Sequence, residues 1–220
     1  MMGCMSMDDK LLACEKSKWA EGFSFVAGID EAGRGCCAGP VVAAAVVFTD
    51  PAKIPAGLND SKKLSARTRM ELRKQILEEP SILYGVCEIS PEEIDRINIL
   101  RATWKAMAGA LSQISCAQFA LVDGNPVQGL GCPSLAIVKG DAKSASIAAA
   151  SILAKTHRDL YMDRIAEIYP EYQFQIHKGY CTRLHTDLIR KLGPCPIHRK
   201  TFEPVKSILN PPDWVQENLF

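Results

Sequence analysis

Gly28-Ile29-Asp30-Glu31-Ala32-Gly33-Arg34-Gly35 sets two adjacent carboxylates at the end of an apolar run and follows them with a glycine–arginine–glycine turn. Acids at the end of a buried strand carry a desolvation cost that a cation must offset. A divalent ion suits them, because Mg²⁺ and Mn²⁺ prefer hard oxygen ligands and bind through one or two carboxylates plus substrate phosphates. The Gly33-Arg34-Gly35 turn adds a flexible backbone and one guanidinium, a combination suited to close approach to a phosphodiester. Two further acids follow strand-like runs: Asp123, before Gly124, and Asp141, after Lys139-Gly140. Taken singly, Asp123-Gly124 reads equally well as a turn and Asp141 as a helix cap. In open α/β sheets ligands bind at strand ends, so acids from distant parts of the chain can converge there. Two-metal phosphoryl chemistry needs such a set around cations roughly 4 Å apart, one activating water and the other stabilising the leaving oxygen. Asp30 is the bridging candidate. Glu31 faces the opposite side if the strand continues, and joins Asp30 only if the backbone turns there.

The elements that must position these acids are legible as runs. Residues 9–19 read as a short leading helix and 25–29 as a strand ending at Asp30. A second strand, 41–48, is entered through Gly39-Pro40, and the short Gly-rich connection favours an antiparallel hairpin. Ser65 caps a helix running to about residue 79, and 82–89 is a third strand. Ser90-Pro91-Glu92-Glu93 carries a capping box with proline at the first helical position; the helical sequence it opens breaks near Asn98 and runs to about residue 114. Strands follow at 119–122 and 135–138. From Asp141 a long helix begins, rich in Ala and Ser, whose small side chains let it lie close against a sheet. A last helix runs from near Tyr180 to Leu192 and stops at Gly193-Pro194. The tail through Pro211-Pro212 is irregular, with room for a short helix.

Bulk properties narrow the class. The chain has 220 residues, 47% hydrophobic and 23% charged, which suits one domain with an ordinary core and an appended element. Net charge is +1, so no global field announces a nucleic-acid partner. Between Asp141 and Lys200 ten Lys/Arg face six Asp/Glu, and all four His lie there, a mild basic bias. The nine cysteines, scattered and without any C-x-x-C, fit free thiols in a reducing compartment. His177, Cys181, His185, Cys195 and His198 assemble into a zinc site only on paper, since their spacing matches no standard pattern. No apolar run reaches membrane-spanning length and no secretory leader is present, which points to the cytoplasm. Gly33-x-Gly35-x-x-Ala38 fits a relaxed dinucleotide fingerprint, but a strand follows where a helix must open, and the two acids would repel a pyrophosphate.

These motifs together resemble the ribonuclease HII (type 2 ribonuclease H) family. The likeness rests on Gly28 to Gly35, on Ala38-Gly-Pro-Val-Val-Ala-Ala-Ala-Val46, on Asn59-Asp-Ser-Lys-Lys-Leu64, and on Asp123-Gly124 and Gly140-Asp141. Ala148-Ala-Ala-Ser-Ile-Leu-Ala-Lys155 and His177-Lys-Gly-Tyr-Cys-Thr182 complete it, in the family's order, from about Phe25 to Phe202. The resemblance implies an α/β fold: a ribonuclease H-like mixed sheet of about five strands flanked by helices, with a C-terminal helical extension. It divides the chain into a leading tail (1–24), a catalytic domain (25–170) and an extension packed on the same domain (171–220). It implies a monomeric endonuclease that hydrolyses the RNA strand of RNA–DNA hybrids and cuts 5′ to ribonucleotides in duplex DNA, leaving 3′-hydroxyl and 5′-phosphate ends, as in ribonucleotide excision repair. Asp30, Glu31, Asp123 and Asp141 would bind Mn²⁺ or Mg²⁺. Gly33, Arg34 and Gly35 would sense the 2′-hydroxyl, Tyr180 would stack on the neighbouring deoxyribose, and Lys62 would meet a phosphate. Lys155 and Arg158 read as partners for acids such as Asp159 or Asp163. The chain departs from the family pattern at Cys36-Cys37 and at Cys181, which affects loop stiffness and thiol chemistry; Cys36 with Cys37 is the redox pair the sequence suggests. A DNA resolvase of the same broad fold and a non-catalytic hybrid-binding module are the rival readings.

Overall fold

The computed structural model describes residues 11–211. The expected leading helix falls partly outside them; its described portion is α1, Ala13–Ala20. A five-stranded sheet follows from β1 (Val26–Ala32), β2 (Val41–Phe48), β3 (Ile82–Ile89), β4 (Phe119–Asp123) and β5 (Ser134–Ile137), in the order β3-β2-β1-β4-β5. β1–β2 and β2–β3 are antiparallel, whereas β1–β4 and β4–β5 are parallel. The sheet is therefore mixed, and the parallel pairs lay the C-terminal ends of β1, β4 and β5 along one edge.

Period-two alternation splits the apolar residues of β2 between two cores. Val41, Ala43, Ala45 and Val47 pack with α3 (Pro91–Ile97) and α4 (Ile99–Leu111). Ala44, Val46 and Phe48 pack with α2 (Ala66–Glu78) and the long α5 (Ala145–Ile168). Burial on both faces explains the unbroken apolar run of this strand. The small residues of α5 do what their size suggests: a Cβ on Gly28 would stand 2.1 Å from the Ser146 carbonyl carbon, so the first turns of α5 lie directly on β1. Among the described residues, three short helices follow: α6 (Phe174–His177), α7 (Arg183–Leu192) and α8 (Val205–Leu209). α6 shares a core with the C-terminal part of α5, through Met162, Ala166, Tyr172, Phe174 and Ile197, whereas Ile189 of α7 and Val205 of α8 pack with Cys37.

Local signals behave as chemistry requires. Ser65 Oγ accepts the Thr68 N–H at 3.1 Å, and Ser90 Oγ accepts that of Glu93 at 3.4 Å. The reciprocal half of the expected capping box does not form, because the Glu93 carboxylate turns to Arg96 and Lys105. Asn98, at φ 69°, breaks the helical run and caps α4 by accepting the Arg101 N–H at 3.1 Å. Asp141 does not cap the long helix. It sits in a preceding 3₁₀ turn (Gly140–Ala142), and Ser144 Oγ is the cap, accepting the Ile147 N–H at 3.2 Å.

Candidate active site

β1 does not end at Asp30. It continues through Ala32, with Asp30 opposite Ala44 and Glu31 opposite Ala43. The backbone turn needed to bring both carboxylates to one side is absent, and alternation puts them on opposite pleats. Asp30 lies on the α5 side, 5% exposed, with Oδ1 accepting the Glu31 N–H at 2.6 Å and its carboxyl hydrogen-bonded to Ser151 of α5. Ser151 is held in turn by Ser61 at 2.8 Å. Glu31 binds Arg34, Nη1 donating to Oε1 at 3.2 Å. Asp123 ends β4, and its Oδ1 accepts the Gly140 N–H at 2.6 Å. Gly140 permits this approach, since a Cβ there would stand 2.6 Å from Ile147 Cδ1. Asp141, 5% exposed, has Lys62 Nζ at 3.9 Å, and its protonated carboxyl donates a hydrogen bond to Asp60.

The acids sense one another. Burial pushes the Asp30 carboxyl well above the ordinary carboxylate range, and the charges of Glu31 and Asp123 push it further. Burial also raises Glu31, with Arg34 and Lys62 opposing and Asp123 reinforcing. Asp141 is raised by burial, then by Asp123 and Asp60, against Lys62. At Lys62 desolvation disfavours the ammonium, yet Asp141, Asp30, Asp60 and Asp123 together outweigh it and raise its pKa. Asp30, Glu31, Asp123, Asp141 and Lys62 thus form one electrostatic cluster, to which the structure adds Asp60. As the side chains stand, no group of three or more His, Cys, Asp and Glu among the described residues is arranged to hold a metal ion. Mg²⁺ does not require such a cage, because it keeps several waters and binds through one or two carboxylates plus substrate phosphates. A cavity of about 510 Å³ elsewhere is lined by Glu92, Asp95, Cys195 and His198 and includes none of these acids.

Beside the cluster lies the glycine turn. Gly33 has φ 92°, and a Cβ there would stand 2.1 Å from Arg158 Nε. Two buried guanidinium groups build the turn. Arg199 donates to the carbonyls of Gly33, Arg34 and Gly39 at 2.8, 3.0 and 3.0 Å. Arg158 donates to Ala38, Pro40 and Lys178 at 2.9, 3.0 and 2.8 Å, so it does not pair with an acid; Lys155 does, with Asp159 at 2.7 Å. Tyr180 precedes α7 and is 41% exposed, joined to the turn by an antiparallel bridge to Cys36. Lys155 Nζ stands 5.4 Å and the Arg158 guanidinium 5.7 Å from its ring. Behind it, neutral imidazoles replace the zinc site conceivable on paper. His185 and His198 share an Nε2···Nε2 hydrogen bond of 3.0 Å, and His185 Nδ1 donates to the Tyr180 carbonyl at 2.9 Å.

Asp60, Ser61, Ser151, Arg158 and Arg199 are the site residues that the acid-spacing argument misses. The first three lie within motifs that the family resemblance quotes, which is the available signal. Nothing local marks the two arginines, because a carbonyl partner leaves no trace in the sequence.

This geometry agrees with the comparisons. A family profile for Ribonuclease HII matches residues 27–205. The chain belongs to the ribonuclease HII family. It is 50% identical over 199 residues to Ribonuclease HII of Chlamydia pneumoniae, covering 90% of this chain and 92% of that one. It is 52% identical over 186 residues to Ribonuclease HII of Marinomonas sp., covering 84% and 92%. The RNase HII in a PCNA:RNase HII complex from Archaeoglobus fulgidus superposes with a TM-score of 0.71 at 29% identity, over 81% of this chain and 95% of that one. Ribonuclease H2 of Pyrococcus horikoshii gives 0.69 at 27% identity, over 84% and 96%. Bst-RNase HIII in complex with Mn²⁺, at 18% identity and a TM-score of 0.67, shares the fold over 92% of this chain and 71% of its own. Membership makes this ribonuclease HII chain an endoribonuclease, a hydrolase of RNA in RNA–DNA hybrids.

Proposed function

We propose that the enzyme is divalent-metal dependent and cuts on the 5′ side of ribonucleotides embedded in duplex DNA as well as within hybrids, leaving 3′-hydroxyl and 5′-phosphate ends. The observation that carries this is the electrostatic cluster. Acids from β1, β4 and the 3₁₀ turn destabilise one another's charged forms, and Lys62 and Arg34 offset them only in part. Such an all-oxygen donor set fits a hard divalent cation. Asp30, Asp123 and Asp141 would hold Mg²⁺ or Mn²⁺, joined by Glu31 only on its release from Arg34, and the ion would supply activation of the attacking water and charge stabilisation at the leaving oxygen. Ser151, braced by Ser61, orients Asp30, and the Gly140 N–H orients Asp123. Lys62, its side chain 80% exposed, is free to meet a substrate phosphate.

Gly35 supports the reading of the turn. Its φ lies outside the left-handed region and an added Cβ would meet nothing within 4 Å, so the fold itself does not require glycine there. An incoming 2′-hydroxyl, recognised by the backbone of Gly33, Arg34 and Gly35, does require it. Tyr180, exposed next to the turn, stacks on the adjoining deoxyribose and so reads the RNA-to-DNA junction. A DNA resolvase has no use for this arrangement, and a binding module gains nothing from acids beside phosphates. The extension from residue 171 packs on the catalytic domain (25–170) as one monomeric unit. A reducing cytoplasm suits the eight described cysteines, all free thiols, and among the described residues no helix is long and apolar enough to cross a membrane. The test is end-labelled duplex DNA carrying one ribonucleotide, with Mg²⁺, Mn²⁺ or EDTA. One metal-dependent cut 5′ to the ribose supports the reading; cleavage of long hybrids alone removes the roles of the turn and Tyr180.

A further inference from the structure

Tyr180 presents an exposed ring from a backbone that buried histidines hold in place. His177, His185 and His198 are 5, 0 and 1% exposed. The Gly179 N–H donates to His177 Nδ1 at 3.2 Å. An amide can only donate, so the ring proton of His177 sits on Nε2, which donates to the Tyr172 carbonyl at 2.8 Å. The Cys195 N–H likewise donates to His198 Nδ1 at 2.9 Å, which makes His198 Nε2 the donor in the 3.0 Å bond to His185 Nε2. The proton of His185 is then on Nδ1, where it donates to the Tyr180 carbonyl at 2.9 Å. One set of neutral tautomers satisfies all of these bonds. Burial favours it, lowering the pKa of all three imidazoles, His185 to about 3 and His198 to about 4. The rings also fix one another: His177 stacks on His185 with centroids 4.0 Å apart, and Phe174 stands edge-on to both. The main chain of His177 completes the hold, its carbonyl accepting the Tyr180 N–H at 2.8 Å.

We propose that His177, His185 and His198 are positioning residues, a brace of buried imidazoles that aims the Tyr180 ring and so sets the preference for an RNA-to-DNA junction over the interior of a hybrid. The brace rests on this geometry, and its effect on cleavage rests on the role of Tyr180 proposed above. A ring that must be ordered as the substrate arrives loses part of its stacking energy to that ordering, whereas a ring held in advance keeps it. An apolar side chain in place of His177 or His185 would fill the same space but take a partner from the Gly179 N–H or the Tyr180 carbonyl. The bonds of the brace end on residues 172, 179, 180 and 195 and reach none of the acids. Loosening it therefore costs junction cleavage and spares cleavage within a hybrid. A displacement of about 1 Å in a positioning group costs up to about 10²-fold in rate.

The experiment measures kcat/KM of the full chain on a duplex carrying one ribonucleotide and on a uniform RNA–DNA hybrid, at a temperature below the Tm of each variant. The ratio of the two cancels any effect on the acids, the metal or the amount of folded enzyme. His185→Asn keeps a donor at the Nδ1 position and with it the bond to the Tyr180 carbonyl, whereas His185→Gln reaches the Nε2 position, toward His198. The expected result is a ratio that falls at least about tenfold in His185→Gln, as it does in Tyr180→Ala, and is largely kept in His185→Asn. Tyr180→Ala combined with His185→Gln shows no further fall, because the imidazole acts through the ring. A histidine that only stabilises the fold lowers both rates together, so an unchanged ratio in His185→Gln overturns the proposal, as do losses that multiply in the double variant. Should His185→Gln not fold, His198→Asn carries the same expectation, since it keeps an acceptor for the Cys195 N–H and drops the donor to His185. If Tyr180→Ala leaves the ratio unchanged, the reading of Tyr180 fails and the brace with it. A ratio that falls in Tyr180→Ala but not in His185→Gln leaves that reading standing and overturns the brace alone.

Discussion

Arg199→Lys tests how the substrate-reading turn is built. Arg199 is fully buried and donates three hydrogen bonds of 2.8–3.0 Å to the Gly33, Arg34 and Gly39 carbonyls. Burial and then the nearby Arg158 lower its pKa to about 10, so it stays charged at neutral pH. Lysine keeps the charge but presents a point donor that cannot span three carbonyls. Hydrogen bonds to charged groups contribute about 1.5–3 kcal/mol each, so losing two of the three costs at least about 3 kcal/mol. For a chain of this size about 3 kcal/mol lowers Tm by about 6–12 °C. The assay is a reduced, metal-free thermal melt at pH 7.5, followed by cleavage of the single-ribonucleotide duplex well below the variant's Tm. Junction cleavage falls by at least about tenfold, because the turn is no longer held in its binding form. A Tm within about 2 °C of wild type together with unchanged cleavage would refute the claim that this guanidinium preforms the turn.

The remaining predictions concern the acids and the glycines. Because Asp30 is raised by burial and by its neighbours, the folded metal-free protein holds that proton longer than the unfolded chain, and stability is lost as pH rises through the folded value. Metal-free Asp30→Asn is therefore more stable than wild type at pH 8, with a gap that narrows at lower pH; denaturant titrations at several pH values check it, and a gap that widens toward acid refutes it. The buried imidazoles act with the opposite sign. His185 and His198 are lowered to about 3 and about 4, first by burial, so their contribution is lost as pH falls below the free-histidine value of about 6.5. Acid unfolding that is insensitive to His185→Gln would contradict that. Gly33→Ala destabilises the fold, since its Cβ meets Arg158 Nε at 2.1 Å, whereas Gly35→Ala melts like wild type and loses junction cleavage; equal melts for the two variants would remove the distinction.

Much of this architecture was legible because it is local. β2 and β3 coincide with their apolar runs at 41–48 and 82–89, and Ser65, Ser90 and Asn98 act where their side chains can reach a free N–H. The acids were visible as residue types beside strands. Their pleat was not, because the length of β1 past Asp30 is set by pairing with β2, and so Glu31 looks to Arg34 rather than joining Asp30 on one side. Asp141 resembled a cap until Ser144, three residues on, took that role. Arg158 and Arg199 read as ordinary cations because their partners are carbonyls brought in from 20 to 166 residues away. The three buried histidines, which made a zinc site only on paper, have backbone carbonyls and each other as partners.

The central claim is that the carboxylate cluster is the reaction centre and requires a divalent ion. Its most direct measurement is single-turnover cleavage of an end-labelled duplex with one ribonucleotide, by wild type and Asp30→Asn, in Mg²⁺, in Mn²⁺ and in EDTA, with melts of both proteins alongside. The account predicts a single cut 5′ to the ribose by wild type in metal, none in EDTA, and none by a natively folded Asp30→Asn. Wild-type cleavage in EDTA, or turnover by Asp30→Asn with a native melt, would contradict it.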